Sequence, residues 1–590
     1  MERMEKLSTN WNFKDIYESE DLAKQDMEKI KKQYCEFVNF KGKLKTKEGL
    51  LAYFKASDNF ELLSNKLMAY LHLRQALDGK DKFSREMQED FSYFMTEEEP
   101  KLAFIEPELC KNKTRDLKKW EKLAEFENYN LEIESILSNK KHVLDEKTNK
   151  IISMIPSFGS NEEAYDKFES VDIKYGDVEV DGKKITLSPA IYGTLVQHEN
   201  QKVRKDAYNT ILKSFADMNY TLSSLYISQT KENDFFVKIG KYKSKLDASC
   251  ESIKVNPKIV ETLIKTVHDN LNLFYDFEEI KKKALNLDEY YYFDNYANMG
   301  KANEKYSYED GVCLMFKVLE KFGKEYVDVM KKAVSENWID VYEKPAKTTG
   351  GFSLGVYGLH PYILLNWGES YRDVSTLCHE MGHTMHSYFS NKHQPISKSN
   401  YSIFVAEVAS TVNENLLNMY MLEHAKSKEE KLFYVHSFLS DFYATVYRQT
   451  MFTEFEHFVI SSVENKIPLS AEVLNEKYCG LQKQYFGENV KSTEFSKFEW
   501  SRIPHFYSPY YVYKYATGFI SASIIAKNIY EQKPGYLEKY LKFLSAGSSV
   551  YPIELLKSVD VDLEKEETLL SAFETYKKYI AEFKELTKEK

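Results

Sequence analysis

Along most of this chain apolar residues recur at spacings of three and four, the period of helices that bury one face. Residues 1–110 read as amphipathic helices separated by short polar breaks, with Phe37, Phe40, Tyr53, Phe54 and Tyr70 as core positions. Residues 111–175 continue in the same manner. From about 195 to 239 the pattern predicts long helices, and 255–335 is again helical, broken at YYYFDNYANM (290–299). Residues 425–500 read as helices and loops, 515–530 as a core helix, and the end of the chain as a charged amphipathic helix. Two stretches differ. DVEVDGKKITLS (177–188) alternates around Asp181-Gly182, the preferred type I′ hairpin turn. GGFSLGVYGLHPYILLNW (350–367) mixes glycine, β-branched and aromatic residues around Pro361 and predicts two short strands. The expected fold class is mainly α, with a small β-sheet near residue 370.

Composition agrees. The 22 Gly and 13 Pro together make about 6% of the 590 residues, roughly half the usual share. Few breakers mean long helices. Most of the 44 Tyr read as amphipathic packing residues at helix surfaces. A net charge of -10 argues against nucleic acid as a partner, because neutralising phosphates needs a basic surface. The first residues, MERMEKLSTNWNFKDIYESED, lack the apolar core of a signal peptide. No apolar run reaches the ~18 residues that would span a membrane. The six cysteines are scattered with no CxxC pair, so no disulfide framework is expected, and a reducing cytoplasm is the simplest compartment.

The candidate chemistry lies in SYRDVSTLCHEMGHTMHSYFSNKH, residues 370–393. Val374, Leu377, Cys378, Met381, Met385, Tyr388 and Phe389 mark a buried helix face, which Ser370 or Asp373 can cap. On that helix His379 and His383 are four residues apart and stand one above the other, so both can offer a ring nitrogen to one zinc ion. Glu380 projects at an adjacent angle and can reach a water without ligating the metal. Gly382 costs roughly 1 kcal/mol against alanine in a helix interior, which makes sense if another backbone or a ligand passes close by. A bare HExxH also arises by chance on an exposed helix. A third ligand is therefore needed. HExxHxxGxxH fails, with His386 at the glycine position and Phe389 at the last histidine. The other source is a following helix, YSIFVAEVASTVNENLLNMY (401–420), where Glu407, Ser410, Thr411 and Glu414 form a polar stripe. Glu407 sits in an otherwise apolar stretch, where an unpaired carboxylate is costly, and is the third ligand selected; Glu414 competes. His198, His360, His436 and His457 read as ordinary helix or turn histidines, and Cys378 as a small buried hydrophobe.

TLCHEMGHTMHSYFSNK followed by YSIFVAEVASTVNE resembles the thimet-type zinc oligopeptidases, and most closely the oligoendopeptidase F group. The likeness extends through residues 350–367, through RIPHFYSPYYVYKYATG (502–518) and YLKFLSAGSSVYPIELLK (540–557), and back to WNFKDIYESEDL (11–22). One departure is KPAKTTGGF (344–352), where a more basic run is expected before the glycines. The resemblance implies a two-lobed helical zincin-like peptidase with a deep channel. It implies one zinc per chain on His379, His383 and Glu407, with Glu380 as general base. It also implies a Gly/Pro-rich loop over the zinc, from which His505 and Tyr513 act in catalysis and Tyr511 joins them in holding substrate. The implied division is residues 1–110, an N-terminal domain at 111–190 ending in the hairpin, and a catalytic domain at 191–580. The implied substrates are short unstructured oligopeptides, cut internally while extended along the 351–367 strand edge. Two other readings are a zinc carboxypeptidase of the Taq type, which would release single C-terminal residues, and a non-catalytic helical peptide-binding scaffold. Nothing in the sequence fixes an oligomeric state.

Overall fold

The computed structural model describes residues 7–155, 159–302 and 305–588. Helices dominate it, as the apolar period requires. Helices Glu20–Glu36, Lys47–Leu77 and Lys82–Glu98 pack on one another, and each begins at a capping side chain: Ser19, Thr46 and Asp81 accept from Leu22, Gly49 and Ser84 N–H. The predicted long helices are Gln201–Ala216 and Asn219–Ile239. The hairpin forms where the alternation placed it, as β1 (Asp177–Val180) and β2 (Lys183–Thr186), with Asp181 and Gly182 both at positive φ as a type I′ turn demands. The break at 290–299 is a strand, β3 (Tyr290–Tyr291), followed by a 3₁₀ turn, Tyr292–Tyr296.

The small sheet beside residue 370 has three strands. β4 (Ile339–Asp340) pairs parallel with β6 (Tyr362–Leu364), and β5 (Phe352–Leu354) pairs antiparallel with the other side of β6. β5 is therefore an edge. Further along, β7 (Val490–Lys491) pairs with β3. The departure at 344–352 has a structural role. Lys347 is fully buried and bonds Asp340 Oδ1 at 2.7 Å and the Tyr342 and Leu365 carbonyls at 2.6 Å. It pins the glycine loop to the sheet.

Three hydrophobic cores result among the described residues. One joins the N-terminal helices to the sheet through Trp11, Tyr17, Met27, Leu67, Tyr70, Tyr362 and Leu364. A second runs from Leu44 through Phe54, Leu109, Leu117 and Phe126 to Ile136. A division at 110 thus separates stretches of sequence that share a core. The third and largest core begins at Tyr165, takes in Val178 of the hairpin and ends at Phe583, so the hairpin packs with the residues that follow it. No helix among the described residues is long and apolar enough to cross a membrane.

Candidate metal centre and active site

Ser370 and Asp373 form a reciprocal capping box that starts the helix Tyr371–His393. Its predicted apolar face is buried: Val374, Leu377, Cys378, Met381 and Met385 have no exposure. The next long helix, Ile403–Glu423, lies directly against it, and Gly382 explains how closely. A methyl group there would stand 2.6 Å from both the Ala409 carbonyl oxygen and Ser410 Cα. Asn413 ties the two helices by donating to the Cys378 carbonyl at 3.0 Å.

This contact brings Glu407 to the histidines. Its Oε2 is 3.6 Å from His379 Nε2 and 3.7 Å from His383 Nε2. The three side chains form a group whose donor atoms all lie within 4.8 Å of one another. Ligands about 2.0–2.2 Å from a tetrahedral zinc are roughly 3.3–3.5 Å apart, so two imidazoles and a carboxylate at these spacings fit such an ion. Glu414 does not join this group. Its Oε2 sits 3.3 Å from the other nitrogen of His379, Nδ1, and orients that ring from behind, as a carboxylate does for a metal-ligating imidazole. Burial lowers the basicity of His379, but Glu414, Glu380 and Glu407 outweigh it and lift its pKa to about 9. For His383, burial and then the charge of His379 press the pKa down to about 3.

Glu380 is buried. Desolvation raises its pKa to about 7, with His379 opposing and Glu407 and Glu414 adding to the rise. A group that ionises near neutrality is suited to accepting and returning a proton. Gly351, just before β5, comes against it: a methyl group there would lie 3.4 Å from Glu380 Oε1. Glu380 and His379 face a cavity of about 1210 Å³ that Gly350, Gly351, Arg372, Glu414, His436 and Asp441 help to line. His379, Glu407 and Glu414 also border a smaller cavity, of about 270 Å³, with Tyr515 and Phe519.

The aromatic loop reaches this second cavity in a register two residues from the expected one. Tyr513 is fully buried at the start of helix Tyr513–Tyr530, with its ring 6.1 Å from Phe404 and its hydroxyl beside Cys250. It does not face the metal group. Tyr515 does, near enough for the Glu407 charge to act on its hydroxyl. His505 and Tyr511 belong with it: their rings are parallel 5.5 Å apart, and Tyr515 Oη is 3.3 Å from His505 Nε2. Tyr510, at φ +56°, makes the turn that separates these fates. Buried Glu456 holds it there by accepting its N–H at 2.9 Å, and His457 meets its hydroxyl at 2.8 Å. Helical spacing did not single out Tyr515, because Tyr511 precedes the helix that begins at Tyr513.

Other histidines make packing or hydrogen-bond contacts. His386 is fully buried and stacks on Tyr401 at 3.6 Å. His360 stacks on Trp338 at 4.8 Å. His436 is buried beside Ser440, and His198 receives the Asn200 N–H.

A helical fold that brings two histidines on one helix to a glutamate on the next offers a donor set suited to a metal ion. The sequence profile described as peptidase family M3 matches residues 194–575. Oligopeptidase PepF of Bacillus subtilis is 32% identical over 587 residues, covering 98% of this chain and 88% of that one. An oligoendopeptidase F homolog of Borreliella burgdorferi is 34% identical over 92% of this chain and 91% of its own. The crystal structure of oligoendopeptidase-F from Enterococcus faecium superposes with a TM-score of 0.78 at 26% identity, covering 97% of this chain and all of that one. The chain belongs to peptidase family M3, a family of metallo-oligopeptidases.

Proposed function

We propose that this protein is a zinc-dependent endopeptidase that hydrolyses internal bonds of short, unstructured oligopeptides. The observation that carries the reading is the meeting of His379, His383 and Glu407 beside buried Glu380, next to the open edge of β5. His379, His383 and Glu407 would hold one zinc, which when bound polarises the scissile carbonyl and acidifies water. Glu380 takes the proton of the attacking water and returns it to the departing amine. Tyr515, backed by His505 and Tyr511, is the neutral donor for the developing oxyanion in place of Tyr513. β5 receives the peptide as an added strand. Cavities at both ends of β5 leave room for chain on each side of the cleaved bond, which favours internal cutting over release of single terminal residues. Residues 191–580 act as the catalytic part, and the N-terminal helices wall the approach. The six unpaired cysteines suit a cytoplasmic protein.

The test is digestion of a peptide library, with free and blocked termini, read by mass spectrometry with and without a chelator. Internal cleavage that stops on chelation and returns with zinc is the expected result. Sequential loss of C-terminal residues, or cleavage indifferent to chelator, would overturn it.

A further inference from the structure

β5 runs alongside the metal helix in the same direction. Gly351 lies against Thr376 and Glu380, Ser353 Oγ meets Thr384 Oγ1 at 2.8 Å, and Gly355 packs on Ser387. The start of the strand is therefore at the reacting bond, and its end points away along the helix. There it opens on a separate cavity of about 460 Å³, lined by Ser353–Tyr357 on one side and by Glu61, Asn65 and His72 of helix Lys47–Leu77 on the other. A strand added to an edge pairs somewhat more stably antiparallel than parallel. A peptide so placed puts its amino-terminal half over the end of β5. From Gly351 to Val356 is about 16 Å at roughly 3.3 Å per residue, so the fourth or fifth residue before the cleaved bond reaches this cavity.

Among the described residues, Glu61 is the one acidic residue lining it. The Asn65 and Asn400 amides approach its Oε1 at 3.4 and 3.5 Å. Among the described residues it has no Lys, Arg or His nitrogen within 4.0 Å. Glu61 also borders a neighbouring cavity of about 350 Å³ that contains Asp58, Glu106 and Glu132, so the negative potential there is not local to one side chain. Burial, and then the charge of Asp58, hold the Glu61 carboxyl above its ordinary range, the state of an acid that lacks a cation.

We infer that Glu61 receives a positively charged group from the half of the peptide that precedes the cleaved bond, either the α-ammonium or a Lys or Arg side chain. Glu61 is then a specificity residue for the reaction proposed above, and the inference rests on that reading. At a half-exposed site such a contact keeps only the net strength of an ordinary hydrogen bond, about three- to tenfold in selectivity.

The experiment uses the zinc-loaded full chain and matched fluorogenic peptides cut at one bond. One pair differs by a free or acetylated terminus four residues before the bond. A second pair carries Lys or norleucine at that position, and a third places the same exchange four residues after it. The expected result is a three- to tenfold higher kcat/KM for the cationic member of the first or second pair, mostly through KM, and a ratio near one in the third. In Glu61→Gln the ratio falls to about one, and in Glu61→Lys it inverts toward a Glu-bearing peptide. Cleavage with no charge preference, a preference unchanged in Glu61→Gln, or a preference confined to the third pair overturns the inference and leaves the peptidase reading standing. No cleavage of any peptide overturns both.

Discussion

At the scale of single residues, role follows surroundings. On the proposed reading Glu380 moves the proton, and it stands outside the group formed by His379, His383 and Glu407. Glu380→Gln is therefore expected to keep about one zinc per chain, by metal analysis, and to lose at least about 10³-fold in kcat. Zinc loss in this variant would make Glu380 a ligand. Tyr515→Phe should lower kcat by about 10²–10³ with KM and zinc little changed. Tyr513→Phe, in a position buried against Phe404, should change kcat by less than about twofold; the reverse order would restore Tyr513 as the donor. Glu456 gives a pH signature instead. Burial raises its carboxyl from 4.5 to about 8, opposed by the Tyr510 N–H and Lys514. Between those values the folded state holds a proton that the unfolded chain has released. Its contribution to stability is thus full below about pH 4.5 and is lost as pH rises through 8. Glu456→Gln stays neutral throughout, so its Tm should gain on wild type by a few degrees between pH 6 and 9. A constant difference would mean that Glu456 is already charged in the fold.

At the scale of elements, the active site depends on one helix contact. The histidines ride on Tyr371–His393 and the third ligand candidate on Ile403–Glu423, and Gly382 lets the two backbones touch. Gly382→Ala forces a methyl group against the Ala409 carbonyl and should cost about 1–3 kcal/mol, since a buried helix backbone cannot yield as a side-chain tip can. Calorimetry should show a lower Tm, and competition with a chelator should show weaker zinc binding, because Glu407 moves away with its helix. A stable variant with undiminished metal affinity would show that the contact does not set the ligand spacing. Both helices were legible as sequence, down to the Ser370 and Asp373 cap, because period and capping are local properties. The register of the aromatic loop was not. It turns on Tyr510 at positive φ, held by Glu456 from 54 residues earlier in the chain.

At the scale of the whole molecule, the metal group lies at the meeting of two cavities, and the N-terminal helices close over the end of β5. Unstructured peptides should be cut, whereas a folded globular protein under native conditions should survive for hours. Rapid internal cleavage of the folded protein would show that the site is open to surfaces. Methylating a backbone amide near the scissile bond removes a strand donor and should raise KM. Sequence alone determined the helical class, the hairpin at Asp181-Gly182, the two strands at 350–367 and the placing of His379, Glu380 and His383 on one helix. Each of these is written in periodicity, in turn chemistry or in a spacing that one helix enforces. Tertiary structure decided the rest: Glu414 behind His379, Tyr515 rather than Tyr513 facing the cavity, one core shared across residue 110, and Glu61 at the far end of β5. Those depend on which distant surfaces meet, and side chains far apart in the chain acquire a common function only when packing brings them to one place.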